Sequence, residues 1–368
     1  VKKVIHIVGA RPNFIKAAPL IKSMNKLDIH NLVIHTGQHY DHNMSQQFFS
    51  DLNIPTPDYN LGAGGGSHAT QTANIMIGCE RVFVEHKPDL IIVYGDINSC
   101  VSAALVAKKL HLDGLPSIKI AHIEAGLRSF DMEMPEEVNR IVTDSITDLF
   151  FVTCKDALHN LEKQGTDMKK CFFVGNTMID SLIEFNDKFD LSKVLDRYSL
   201  TNGSYALCTL HRPSNVDSKE DLIRMFDAIV DTSKILKCVF PIHPRTKSNL
   251  SKYNLYEKYN NIPNLCIIEP QGYIDFMCLQ KNAKLVITDS GGIQEESSFF
   301  GIPCLTVRDN TERPVTVTQG TNTLIGSNYE NIPKMVSNTY STESNIELWD
   351  GASSDRIVEI LMKELNNE

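Results

Sequence analysis

The feature that most constrains this chain is a repeated alternation. Short uninterrupted apolar runs are each followed by turn residues and then by a segment with apolar side chains at helical spacing. In the first half the runs occupy residues 4–8, 32–35, 90–93, 118–122, 149–152 and 171–174, with helical patterns at 14–24, 99–110 and 136–147 between them. A strand wetted on one face alternates polar and apolar residues. Strands without a polar break are covered on both faces, as in a parallel sheet flanked by helices. The pattern pauses over residues 185–204, a polar stretch ending Thr201-Asn202-Gly203-Ser204. It restarts at 205–209, 239–242, 265–268, 285–288, 304–307 and 323–325, and residues 354–365 form a last amphipathic helical pattern. The expected architecture is α/β: two Rossmann-like doubly wound domains facing a cleft, residues 1–185 and 200–350, joined by a polar linker. A length of 368 residues agrees with two cores rather than one.

Composition narrows the function classes. Lys and Arg number 36 against 45 Asp and Glu, a formal charge of −9, so non-specific attraction to nucleic acid or an anionic membrane is not expected. The opening apolar run is too short for a secretory signal, and no run approaches a membrane span, so a cytoplasmic location is expected. Nine scattered cysteines with no CxxC pair read as buried free thiols.

In open α/β sheets chemistry gathers just after the strands. Five segments pass that filter. Thr288-Asp289-Ser290-Gly291-Gly292-Ile293-Gln294-Glu295-Glu296 runs from a strand through glycines into a helix, where free N–H groups favour phosphate and Glu296 could accept from ribose hydroxyls. Gly9-Ala10-Arg11-Pro12 opens a second helix, with Arg11 and Lys16 suited to a diphosphate. This is neither a dinucleotide fingerprint nor a Walker loop. Asp96, Glu124 and Glu136 follow strands or begin a helix. Three carboxylates at one sheet mouth suit proton transfer at carbon, while caps, helix-dipole acids at Glu136 and Glu137, and ion pairs to Arg128 and Arg140 are the structural alternatives. His211, after the first strand of the second half, could carry a proton or contact phosphate. Arg308 and Arg313 follow a later strand, and Gln271 and Phe276 could recognise or pack a base. His35, His39 and His42 match no zinc spacing, and the glycine run before His68 reads as a loop, so no metal and no cofactor are expected.

With these segments in view, the chain resembles the non-hydrolysing UDP-N-acetylglucosamine 2-epimerases over nearly its whole length. The matching stretches are GARPNFIKAAPL, the GD at 95–96, HIEAGLRS, MPEEVNR, HRPSN, IHPR, EPQGY, TDSGGIQEE and RDNTERP. The resemblance implies a glycosyltransferase-B-like fold in which the terminal helix, residues 354–368, completes the first domain. It implies UDP contacts from Arg11, Lys16, Gln271, Phe276, Ser290, Gly291, Gly292, Glu296 and Arg313, with Arg140 counted among the substrate-binding residues. It implies catalytic roles for Asp96, Glu124, Glu136 and His211. The implied reaction is C2 epimerisation by elimination and re-addition of UDP through 2-acetamidoglucal, in a homodimer. Two stretches depart from many bacterial members: Arg212-Pro213-Ser214-Asn215, and Gln38-His39-Tyr40-Asp41-His42, which bears on a regulatory substrate site. Both resemble relatives acting on modified UDP-N-acetylhexosamines, such as UDP-2,3-diacetamido-glucuronate. A retaining glycosyltransferase and a hydrolysing 2-epimerase stay as alternatives.

Overall fold

A computed structural model describes residues 1–38, 49, 56–112, 114–337 and 344–366. The chain divides into two compact units, Val1–Glu184 with Glu347–Glu368, and Phe185–Ile346.

The first unit is built on a parallel sheet of β1 (Lys2–Val8), β2 (Ile29–His35), β3 (Tyr59–Asn60), β4 (Leu90–Tyr94), β5 (Lys119–Ile123), β6 (Leu149–Val152) and β7 (Cys171–Phe173), in the order β3-β2-β1-β4-β5-β6-β7. Val4, Ile5, Ile7 and Val8 have no exposed surface, as the unbroken apolar run requires. Strand order reverses between β1 and β4, which pair Ile7 with Val93. The crevice of this sheet therefore lies beyond their carboxyl ends, at Gly9 and Gly95.

The second unit repeats the plan with β8 (Tyr205–Thr209), β9 (Lys237–Pro241), β10 (Leu265–Ile268), β11 (Leu285–Thr288), β12 (Cys304–Thr306) and β13 (Asn322–Leu324), ordered β10-β9-β8-β11-β12-β13. Its reversal falls between β8 and β11, where Thr209 and Thr288 pair and their hydroxyls lie 2.7 Å apart. The residues that follow are His211 and the Asp289-Ser290-Gly291 turn.

The segment expected as a polar linker is instead structured within the second unit. It forms the short helices Asn186–Asp190 and Val194–Arg197, with Phe189 and Val194 fully buried. Phe189 meets the Tyr273 ring edge-on at 5.8 Å, and Ser192 donates to Asp275. The short edge strand β3 was not expected either. The helix Ser353–Asn366 returns to the first unit, its start capped by Asp180, which accepts from the Ser353 and Ser354 N–H groups at 3.2 and 2.6 Å. All nine cysteines are free, and burial pushes the Cys79 and Cys100 thiols up to about 12. Among the described residues no helix is long and apolar enough to cross a membrane.

Candidate active site

In the first unit the site grows from the turns that end β1, β4 and β5. Asn13 ties two of them together: its side-chain oxygen accepts from the Gly9 and Ala10 N–H groups, and its amide donates to the Tyr94 carbonyl at 2.7 Å. The helix Arg11–Met24 carries Arg11 at its first position, with Pro12 in the first turn. Lys16 lies further in and is buried, and its ammonium contacts the Glu124 carboxylate rather than flanking the helix entrance. Glu124 is itself buried and holds the left-handed conformation at φ +72°. A carboxylate-bearing residue costs energy there, and such strain gathers at functional sites. Gly95, at φ +71°, lies against this pair: a β-carbon on it would stand 3.1 Å from Glu124 Oε2 and 3.2 Å from Lys16 Nζ.

Asp96 follows that glycine. Its Oδ2 accepts from Arg140 Nε and Nη2 at 3.0 and 2.6 Å, and Asn139 donates to its backbone carbonyl. The third arm of Arg140, Nη1, reaches Glu137 Oε2 at 2.6 Å. Glu137 is buried and also accepts from the Ser129 and Phe130 N–H groups. Arg140, expected against substrate, is thus engaged by two carboxylates. Glu136, the acid singled out from the sequence, is half-buried in the first turn of the helix Pro135–Ile146. Lys16, Glu124, Asp96 and Arg140 are therefore assembled around one turn, with Glu136 at the start of the neighbouring helix. Glu137 was passed over as a helix-dipole acid. Its spacing to Arg140 and Asp144, three and seven residues on, puts all three on one helix face and was the signal available.

In the second unit Asp289 is the organiser that the sequence reading left out. Its buried carboxylate accepts from the His211 and Arg212 N–H groups and from Asn215, and it lies 2.9 Å from His211 Nδ1. Burial alone would raise this carboxyl, but those donors outweigh it and hold it down to about 2. A fixed carboxylate behind the ring orients His211 by its Nδ1 edge, while the ring itself stays 40% exposed.

Ser290 precedes the helix Gly291–Phe300 at its N-cap position, without a side-chain bond to the helix start. A β-carbon on Gly291 would stand 2.5 Å from Glu312 Oε1 and 2.6 Å from Arg313 Nη1, so this helix start lies directly under the guanidinium. Arg313 is buried, paired with Glu312 and, at 2.7 Å, with Glu295, and Arg308 braces Glu312 from the other side at 2.7 Å. A helix N-terminus beside a held guanidinium is suited to a phosphate group. Glu296 is buried in the first turns of the same helix. Gln271 is buried, donating to the Glu269 carbonyl at 2.5 Å and to Tyr198, and Phe276 is half-buried on the helix Tyr273–Lys281. His39 and His42 lie outside the described residues, as do Tyr40 and Asp41. Among the described residues no group of three or more His, Cys, Asp or Glu could hold a metal ion.

Comparison with known proteins adds four findings. The sequence profile described as UDP-N-acetylglucosamine 2-epimerase matches residues 22–362. A UDP-N-acetylglucosamine 2-epimerase homolog of Methanococcus maripaludis is 44% identical over 363 residues, which is 98% of this chain and 99% of its own. The UDP-2,3-diacetamido-2,3-dideoxy-D-glucuronate 2-epimerase of Pseudomonas aeruginosa is 38% identical over 368 residues, with 98% and 99% covered. The crystal structure of Methanocaldococcus jannaschii UDP-GlcNAc 2-epimerase, in complex with UDP-GlcNAc and UDP, superposes with a TM-score of 0.90 at 42% identity, covering 98% of this chain and 99% of that one.

Proposed function

Because the chain belongs to the UDP-N-acetylglucosamine 2-epimerase family, we propose that it interconverts UDP-N-acetylglucosamine and UDP-N-acetylmannosamine by inverting carbon 2. The enzyme is an isomerase. In this reading a carboxylate takes the proton from C2. The C2–H electron pair forms a C1–C2 double bond, and the C1–O bond breaks to release UDP beside 2-acetamidoglucal. Returning a proton to the opposite face of C2 as UDP re-adds at C1 gives the epimer, with no net oxidation. The observation that carries the reading is the grouping of Asp96 and Glu124 with Lys16 and Arg140 at the β1/β4 reversal. It supplies carboxylates able to exchange a proton, each in contact with a cation. Glu136 is the third acid of this reading, and His211 serves the proton that follows UDP. The N–H groups of Ser290, Gly291 and Gly292, with Arg313 and Arg11, take the diphosphate; Glu296 takes the ribose, and Gln271 and Phe276 the base.

Incubation with UDP-N-acetylglucosamine in deuterium oxide, followed by NMR, tests this. We expect both epimers with deuterium at C2. Free N-acetylmannosamine, or a product that keeps its C2 hydrogen, overturns it.

A second reading places a modified UDP-N-acetylhexosamine in the same chemistry. It is favoured by the 38% identity to the diacetamido-glucuronate enzyme and by Arg212-Pro213-Ser214 after His211. Comparing kcat/KM for the two sugars decides between them. We further read the protein as a cytoplasmic homodimer. Nine free thiols support the compartment, and Ile77 and Val84, exposed seven residues apart on the helix His68–His86, support self-association. Sedimentation as a monomer would remove the second point, and secretion of the protein into the medium the first.

A further inference from the structure

The first unit holds a histidine that this reaction scheme does not use. His122, on β5, is completely buried. Its Nδ1 lies 2.7 Å from Asp144 Oδ1 and its Nε2 lies 2.8 Å from the Gly95 carbonyl oxygen. A carbonyl oxygen can only accept a hydrogen bond. Asp144 accepts as well: its Oδ2 already takes bonds from the Gly126 N–H at 3.0 Å and from Arg128 Nη2 at 2.6 Å. Burial pushes the Asp144 carboxyl up, but His122 and Arg128 outweigh it and hold it below its ordinary range. A neutral imidazole has one N–H and would turn a lone pair towards one of these two oxygens at under 3 Å. Satisfying both oxygens requires a proton on each ring nitrogen.

We propose that His122 is a positioning residue held as an imidazolium, which fixes the Gly95 carbonyl and through it the turn that presents Asp96 and abuts Glu124. Gly95 is clamped on every side. Its N–H donates to the Ile123 carbonyl at 2.9 Å, its carbonyl takes the His122 proton, and its α-carbon faces the Lys16–Glu124 pair. The next residue carries the carboxylate that Arg140 grips. Without the Nε2 donor the carbonyl is buried and unsatisfied, the peptide between Gly95 and Asp96 is free to rotate, and Asp96 shifts against Arg140. A displacement of about an ångström at a reacting group is enough to cost orders of magnitude in rate.

The charged and titratable groups at the ring's two partners, Asp144 and Gly95, come from three further elements. They are Asp144 on the helix Pro135–Ile146, Arg128 on the loop after β5, and the Lys16–Glu124 pair beyond Gly95. Near Asp144 lies Cys171 on β7, whose thiol burial and that carboxylate push up to about 11. With both ring nitrogens protonated, the cluster of His122, Arg128 and Asp144 carries one net positive charge behind the turn that holds the acids.

The test uses the whole protein labelled with ¹⁵N-histidine. One ring should show both nitrogens with protonated-type shifts, unchanged from about pH 6 to about pH 9, where an ordinary imidazole loses a proton. That pair of signals should vanish in His122→Gln. The same variant should lose about tenfold or more in kcat with KM within about twofold, because geometry at the reacting group fails while substrate contacts persist. An acceptor-type nitrogen in this ring within that pH range overturns the proposal, as does wild-type kcat in folded His122→Gln. If His122→Gln does not fold, Asp144→Asn identifies the ring as the one whose Nδ1 becomes an acceptor, and a ring unaffected by that change also overturns it. The catalytic half of the inference rests on the epimerase reading and the protonation half does not. Loss of deuterium exchange in the wild type would therefore remove the reaction and leave the nitrogen shifts standing.

Discussion

Glu136 and Glu137 are adjacent, yet about 100° of helix rotation gives them separate tasks. Glu137 is buried and braces Arg140, whereas Glu136 is half-buried with no such role visible. If the acids act on the C2 proton, Asp96→Asn, Glu124→Gln and Glu136→Gln each lower turnover about a hundredfold, within the range for general acid–base catalysis. Only Glu124→Gln should also lower the melting temperature clearly, because it alone leaves a buried ammonium facing an amide. Turnover and melting measured on the same three variants separate the roles, and three active variants would mean that the acids are structural. Gly291 gives a second expectation. A β-carbon here would stand so close to Glu312 and Arg313 that Gly291→Ala must displace the pair, so UDP binding by calorimetry should weaken about tenfold or more, which is ~1.4 kcal/mol. An unchanged Kd would remove Arg313 and this helix start from the phosphate site. The residue types at both sheet mouths were legible because an open parallel sheet gathers its chemistry just after its strands, which narrows the search to those few residues. The partner of each was not. That Lys16 meets Glu124 beside Gly95, or that Asp289 gathers His211, Arg212 and Asn215, depends on which strands lie side by side, and no local spacing encodes that.

At the scale of elements, the strands were readable because burial on both faces leaves no polar interruption, and all but the two-residue β3 were anticipated. The helices of residues 186–197 escaped notice because they are only one turn or so long and each buries a single apolar side chain, Phe189 or Val194. Their polar remainder looks like a linker. The helix Ser353–Asn366 was legible as amphipathic, but its anchor was not. Asp180 reaches it from 173 residues away and also accepts from the Ser354 hydroxyl at 2.7 Å. Asp180→Ala removes that cap, so we expect a stability loss of about 1–2 kcal/mol. Hydrogen exchange should quicken over residues 353–366 and hold steady over the second unit. Uniform quickening of both units would contradict a local anchor.

For the whole molecule, acid acts unevenly. His6 is buried against Tyr94, and burial lowers its pKa to about 4, the Asn31 bond offsetting this only in part. Above the ordinary value of 6.5 the ring is neutral folded or unfolded, and this contribution to stability is fully present. As pH falls from there towards about 4 the unfolded chain takes up a proton that the folded one refuses, and at about pH 5 roughly 2 kcal/mol is lost. Asp289, in the second unit, has the same sign at lower pH: its contribution fades only below 3.8, towards about 2. The first unit should therefore unfold at milder acidity. Urea unfolding at about pH 8 and about pH 5 checks this, and the loss should shrink in His6→Gln. An equal loss in that variant would absolve the histidine. The return of residues 347–366 to the first unit also has a consequence for synthesis. On the ribosome β1 emerges first, yet the helix that covers its unit emerges only after the entire second unit has been made. The later-born unit can close while the earlier one still waits with an uncovered apolar flank, so stalled or truncated translation products should be the ones that chaperones hold.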